Sequence, residues 1–376
     1  AYEIVDCDWS SDVCSSDLDT GAEATLGARA AGVEAQVRLS SRWRPDGRRD
    51  DEARLLQLAA SGSLDEWQWS AGKLRLGWDV GQGFRPNDVV AQEPRRSLLP
   101  TDTEGRGLLQ LERFWGADQA LSVVWVRPDH VRGEDPQGAE ESALALRGYQ
   151  RLGAWDLHAF GRWGRHSRGS LGAALSWVAS DALELHASVR TLQARDGWAE
   201  GQASGATLVT ANPWHLATRG AAGQALLGLG WTGEQRQGLL LEAWHDGTAP
   251  DDATWRRWGA RNQALQAWAR QPGLPAAALG AAAGNLAWQA SPLASANLRQ
   301  DNVFARASWQ PEPWSLTLDL LWQPADGGRL WTAGAQWQGD RWRLDLAWRV
   351  AAGPDAALLR QLPSRRTAVA AASWRF

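Results

Sequence analysis

RTAVAAASWRF (366–376) alternates residue by residue: Phe376, Trp374, Ala372, Ala370 and Ala368 share one parity, and Arg375 and Ser373 share the other. Side chains along a β-strand repeat every two residues, so this segment predicts one apolar face and one largely polar face. The preceding stretch, RWRLDLAWRV (341–350), repeats the pattern without an error. Trp342, Leu344, Leu346, Trp348 and Val350 fall on one side; Arg341, Arg343, Asp345 and Arg349 fall on the other. Extended toward the N-terminus, the same reading predicts about sixteen strands. They cover 33–43, 53–60, 66–79, 107–114, 119–127, 141–151, 154–163 and 169–179. The rest cover 182–191, 222–231, 237–245, 300–310, 313–323, 328–338, 341–350 and 366–376. Residues 22–31 extend the first strand or remain from another, so the count runs from about fourteen to eighteen.

Tryptophan gives the second signal, with 26 copies against 2 Tyr and 5 Phe. Trp155 and Trp163 flank one strand on a single face, and Trp314 and Trp322 flank another at the same spacing. At about 3.3 Å per residue and a tilt near 40°, that spacing climbs roughly 20 Å, close to the height of an apolar membrane belt. The indole ring is apolar and its N–H stays wet, which suits the headgroup level. The fold expected is an all-β, transmembrane, antiparallel up-and-down barrel forming one domain over 19–376, with Trp155, Trp163, Trp314, Trp322, Trp342, Trp348, Trp374 and Phe376 in its girdles. A soluble β-protein stacking sugars on Trp is the competing reading; it loses because the Trp positions track strand ends. Mean hydropathy is −0.41, and no run of eighteen apolar residues predicts a helical span.

A strand closed by a terminal Phe resembles the assembly signal of Gram-negative outer-membrane proteins. The resemblance implies porin-like barrels, an outer-membrane address, surrounding lipid and lipopolysaccharide, and recognition of Phe376 by the barrel-insertion machinery. Connection lengths agree. If Phe376 ends in the periplasm, short turns such as 61–65, 115–118, 152–153 and 338–340 are periplasmic, and longer loops such as 80–106, 192–221 and 246–299 are extracellular.

Residues 1–18 fit nothing downstream. DWSSDVCSSDL (8–18) resembles a translated short-read sequencing adapter, so the segment is expected to add no strand; a genuine acidic plug is the alternative. Both cysteines, Cys7 and Cys14, lie inside it and carry no metal or redox meaning on this reading. The chain has 39 basic and 43 acidic residues; setting aside the five acids of this segment leaves 39 against 38. The sequence contains no Met, which agrees with a fragment whose signal peptide has been lost.

Chemistry in such a barrel belongs to the lumen. Parity sends Lys73, Arg75, Arg162, Arg190, Arg306, Arg343 and Arg349 inward, together with acids such as Glu66, Asp79, Asp319 and Asp345. Charged rings tune ion selectivity in a pore; paired across strands, the same charges only hold a wet wall together. The segment GKLRLGWDVGQGFRPNDVVAQEPRRSLLP (72–100) resembles Gly-basic…Trp-Gly…Pro-x-Asp stretches of outer-membrane porin-like families. Its strand is expected to put Lys73, Arg75 and Asp79 inward and Leu74, Leu76 and Trp78 outward, with a bulge near Ala71–Gly72 resetting the register set by Trp67 and Trp69. A Gly-rich exit would let the loop bend into the mouth, bringing Arg85, Arg95 and Arg96 to a constriction; an ordinary solvated loop is the alternative. Whether inward Asp79 and Glu66 neutralise Lys73 and Arg75 decides the net field.

The longest insertion, 246–299, predicts a helix over 251–270, with Trp255, Trp258, Leu265 and Trp268 at helical spacing after Asp251 and Asp252, and a second over 276–288. Packing of that Trp stripe on the barrel rim is the preferred reading. The six histidines are scattered, with no HExxH, and no metal or cofactor is implied. His158 and His186 have Asp156 and Glu184 two residues away on one face and read as satisfied wall residues. No basic stripe interleaved with aromatics suggests nucleic acid. The function expected is a channel for passive or substrate-selective diffusion of small hydrophilic solutes, with a weak anion preference. The alternative is a non-conducting structural or receptor barrel plugged by its loops, and an outer-membrane enzyme ranks third.

Overall fold

A computed structural model describes residues 2–6, 17–44, 46–90, 98, 104–127, 141–201, 211–362 and 364–374. Its strands are β1 (Tyr2–Asp6), β2 (Asp17–Ala30), β3 (Val33–Trp43), β4 (Arg49–Leu64), β5 (Trp67–Leu74), β6 (Arg106–Trp115) and β7 (Gln119–Val126). β8 (Ala143–Leu152), β9 (Trp155–Gly164), β10 (Arg168–Ser180) and β11 (Leu183–Leu192) follow. A separate hairpin of β12 (Arg195–Glu200) and β13 (Trp214–Arg219) rises from the next connection. The wall resumes with β14 (Ala222–Thr232) and β15 (Gln237–Asp246). After α1 (Asp252–Ala269) and α2 (Ala276–Trp288), it ends with β16 (Asp301–Trp309), β17 (Trp314–Gln323), β18 (Gly328–Gln338), β19 (Trp342–Ala352) and β20 (Arg366–Trp374).

Every wall strand pairs antiparallel with its neighbour in chain order, β11 passing directly to β14. The result is an antiparallel up-and-down sheet of the transmembrane barrel type. β1 pairs with both β2 and β20, so Tyr2–Asp6 sits between the first and last long strands of an 18-stranded sheet. This corrects the expectation that residues 1–18 add no strand. Strand pairing uses backbone N–H and C=O groups, and a segment without side-chain alternation can still supply them. Residues 22–30 belong to a strand of their own, β2, and Ala31 opens the turn that follows.

Two-residue turns at 31–32, 65–66, 153–154 and 181–182 close hairpins at one end of the barrel. At the first of these, Ala31 and Gly32 both have positive φ (49° and 77°), the twist a tight hairpin demands. The opposite end carries the long connections. Alternation is kept across the sheet: Trp155, Trp163, Trp314, Trp322, Trp342, Trp348 and Trp374 lie outside, each between 39% and 54% exposed. Phe376 lies outside the described residues. Trp342 pairs with Trp374 across two strands, and Trp155 stacks on Trp177 with ring centroids 5.0 Å apart. Among the described residues no helix is long and apolar enough to cross a membrane.

Candidate functional site: a lumen crossed by residues 75–90

One correction to the sequence reading defines the site. The strand expected over 66–79 ends at Leu74, and Trp78 is buried, not lipid-facing. Gly72 has φ +128°, and a Cβ there would lie 2.2 Å from the Leu58 carbonyl oxygen, so only glycine suits this exit. Beyond it the chain packs Trp78, Val89 and Val90 against Val124, Val126, Ala145 and Phe160; Leu74 and Leu76, also expected outward, pack against the same cluster. Burying a side chain of Val or Phe size stabilises by about 1.5–3 kcal/mol, enough in sum to draw the segment inside.

Polar contacts fix where it sits. The Glu242 carboxylate accepts the Gln82 amide at 2.8 Å and the Gly83 amide at 2.6 Å, while His186 Nε2 lies 2.9 Å from Glu242 Oε1. A Cβ at Gly81 would lie 1.9 Å from the Phe84 carbonyl oxygen, which accounts for the first glycine of the exit. Ser188 Oγ lies 2.8 and 2.9 Å from the two Asp79 carboxylate oxygens, and the Asn87 side-chain amide donates to Ser188 Oγ at 2.8 Å. Arg190 donates to the Pro86 carbonyl at 3.0 Å and to Ser170 Oγ at 3.1 Å. Phe84 stacks on Trp244, centroids 5.6 Å apart. Burial raises the carboxyl pKa of both Asp79 and Asp88 above the ordinary value, against the pull of their amide donors and of Arg85.

The inward arginines divide by what they do. Arg190 holds the crossing segment, and Arg162 donates to Glu141 at 3.0 Å and Ser167 at 2.6 Å near the 165–167 turn. Lys73 pairs with Glu104, whose carboxylate also lies 4.0 Å from Arg54, and Arg75 is half-buried beside it in sequence. Glu66 pairs with Arg113, and Asp79 accepts from Ser188 Oγ. Arg343 donates to Asp345 at 2.8 Å. Arg306 grips Asp319 through two bonds of 2.7 Å, and Arg349 donates to Thr332 Oγ1 at 3.0 Å. Arg85 donates to the Gly81 carbonyl at 2.8 Å and lies 3.6 Å from Asp88. Arg95 and Arg96 lie outside the described residues.

Two cavities flank the segment. One of about 260 Å³ lies toward the long connections and is lined by Gln82, Arg85, Asp88, Arg306, Asp319 and Arg349, among others. The other, of about 330 Å³, lies toward the short turns beside Glu184, Gly230 and Ser308. Gln82 and Arg306 line both. Above the first cavity, Trp214, Trp255 and Trp258 cluster with Leu293, Leu298, Leu358 and Leu359. The indole N–H groups of Trp255 and Trp258 donate to the Leu298 and Gln289 carbonyls at 2.6 and 2.8 Å. Of the insertion's Trp stripe, Trp255 and Trp258 are buried in a small core with β13 and the 358–359 turn, and Trp268 is not part of it.

Of the two histidines singled out, His186 pairs with Glu242, not Glu184. His158 lies between the rings of Tyr149 and Phe160, whereas Asp156 accepts the Tyr149 hydroxyl at 2.5 Å. Among the described residues no group of three or more His, Cys, Asp or Glu could hold a metal ion. Glu242, Ser188, Asn87 and Gln82 were not anticipated. Ser188 and Glu242 come from β11 and β15, far in sequence from Gln82 and Asn87 on the crossing segment, and no local spacing marks them.

No protein-family model matches this sequence, and no curated protein matches it significantly. Among solved structures it is similar to Escherichia coli Wzi, described as an outer-membrane protein involved in group 1 capsule assembly and a carbohydrate-binding β-barrel. That match has 10% identity and a TM-score of 0.54 over 96% of this chain and 78% of that one. A mutant Rhodopseudomonas blastica porin aligns over 100% and 97% of the two chains at 9% identity, TM-score 0.42. A loop-deletion mutant of OmpT, an outer-membrane protein of Vibrio cholerae, aligns over 99% and 95% at 9% identity, TM-score 0.38. The likeness that carries weight is to Wzi, and it is one of fold: the chain has the fold of outer-membrane β-barrels.

Proposed function

We propose that this protein is a porin-like channel of the Gram-negative outer membrane, passing small hydrophilic solutes down their gradients with a weak preference for anions. One observation carries the reading: the cavities on the two sides of the crossing segment share Gln82 and Arg306. A barrel of this strand number is wide enough for an aqueous path unless it is filled, and among the described residues a cavity lies on either side of Gln82 and Arg306. Three guanidiniums (Arg85, Arg306, Arg349) face two carboxylates (Asp88, Asp319) around the upper cavity. That excess favours anions where screening is poor. Arg95 and Arg96 follow in the same connection and would add to it. Phe376 is the proposed signal for the insertion machinery, in a membrane of lipid and lipopolysaccharide.

Purified protein in a planar bilayer under a salt gradient tests the proposal. Discrete conductance steps and a reversal potential of anion sign support it; folded protein that carries no current refutes it. The lid built on Trp214, Trp255 and Trp258 favours a second reading, a non-conducting receptor barrel, and Wzi, of the same fold, is described as carbohydrate-binding. The same recording separates the two.

A further inference from the structure

The outer face of the barrel carries charge as well as tryptophan. At most places that charge is neutralised on the spot. Arg49 donates to Asp51 at 2.8 Å, His245 lies 2.7 Å from Asp301, and Arg113 pairs with Glu66.

β18 and β20 depart from that pattern. Arg329 stands opposite Trp322, and Arg366 stands opposite Val350, which in turn faces Trp331. Directly opposed residues share one face of a sheet, and both tryptophans are exposed on the outside. Both arginines therefore point away from the lumen, and both are exposed. Arg366 is the first residue of β20 and Arg329 the second of β18, at the rim that carries the long connections. Among the described residues neither guanidinium has an acidic partner. The acids nearby are committed elsewhere: Asp326 to Arg299 at 3.0 Å, Asp301 to His245, and Asp355 to Arg360 at 2.6 Å. Asp6 is the backbone partner of Arg366 in β1, and counting it still leaves one positive charge in excess.

Spacing narrows what could answer that excess. Trp331, Val350 and Arg366 form one row across three strands, and Arg329 stands two residues along β18 from Trp331. With strands about 4.8 Å apart and a rise of about 3.3 Å per residue, the two arginine Cα atoms lie about 12 Å apart. Trp322 and Trp331 beside them mark the headgroup level. At that level an arginine keeps its stem in lipid and its guanidinium in water. Guanidiniums bind phosphate through paired N–H donors. Two of them at this separation suit a headgroup with a phosphate at either end, whereas a glycerophospholipid brings one phosphate and occupies one arginine.

We propose that Arg329 and Arg366 clamp the two phosphates of the lipid A headgroup of lipopolysaccharide. Its acyl chains lie along the apolar outer face below, on Ala333, Leu346 and Ala368. The site rests on the outer-membrane part of the proposed function, with the long connections facing outward, and is independent of conduction.

The test is native mass spectrometry of the folded, detergent-solubilised protein with bisphosphorylated lipid A, monophosphorylated lipid A and phosphatidylglycerol. Every chain carries Asp6→Asn, which takes that carboxylate out of the comparison. Bisphosphorylated lipid A is expected to bind at least about tenfold more tightly than either competitor. Arg329→Gln and Arg366→Gln should each weaken it about tenfold, and either variant carries the test should the other fail to fold. Arg127→Gln, at an exposed arginine just beyond β7, should bind it like the parent. Equal affinity for bisphosphorylated lipid A and phosphatidylglycerol, undiminished binding in Arg329→Gln and Arg366→Gln, or an equal loss in Arg127→Gln would overturn the proposal. Protein that conducts but does not select lipid A loses this site alone; protein that selects it without conducting keeps the site and removes the channel.

Discussion

The Glu242 carboxylate accepts the backbone amide of Gly83 at 2.6 Å across a sequence separation of 159 residues, tying β15 to the segment that crosses the lumen. The neighbouring Gln82 amide shares the same carboxylate, so two backbone donors depend on one side chain. That contact sets how far the segment stands off the wall.

Replacing Glu242 by Gln removes the charge from both hydrogen bonds and leaves a single acceptor. Hydrogen bonds to charged groups contribute about 1.5–3 kcal/mol, and the wall strands do not depend on this one. Single-channel steps should become larger and noisier. Hydrogen exchange at residues 82–83 should accelerate by about tenfold or more while strand amides keep their protection. Unchanged exchange at 82–83 would show that the latch lies elsewhere.

Leu346 stands on the outer face of β19 and is 56% exposed, flanked across the strand by buried Asp345 and Ala347. Leu346→Arg puts a charge into the lipid belt, at a cost of about 2–4 kcal/mol near the midplane. Urea titration in lipid vesicles should show that loss. Wild-type stability of the variant would mean that this face is not in lipid.

His166, in the turn after β9, lies 2.6 Å from Asp196 of the β12–β13 hairpin, and that hydrogen bond raises its pKa above the ordinary histidine value. A raised histidine stabilises its docked state fully below the undocked pKa and loses that contribution as pH rises through the docked one. The hairpin should therefore hold best below about pH 6 and loosen above neutrality. Exchange rates of β12 and β13 amides across that range report it, and His166→Asn should flatten the profile.

What the sequence disclosed follows from period two. The wall strands from β3 to β20 are legible because inward polar residues alternate with outward apolar ones, as Arg343 and Arg349 do with Leu344 and Trp348, whereas the β12–β13 hairpin fell in a stretch read as a loop. The error at Trp78 has the same origin. Leu74, Leu76 and Trp78 alternate like a lipid-facing strand, but the lumen wall they meet, around Val124 and Val126, is itself apolar. Alternation reports an apolar neighbour and not which neighbour it is. α1 was legible from Asp251, whose carboxylate accepts the Thr254 amide at 2.7 Å, and from its Trp spacing. The latch was not legible, because Asp79 meets Ser188, and Glu242 meets Gln82 and Gly83, only once segments far apart in sequence have come together.

The central claim is that solute passes between Gln82 and Arg306, and a single cysteine tests it. In a chain carrying Cys7→Ser and Cys14→Ser, Gln82→Cys is recorded in a planar bilayer before and after a bulky, charged thiol reagent. A stepwise fall in single-channel current is expected as the thiol is modified. Undiminished current from fully labelled protein, or no current from folded protein before labelling, would contradict it.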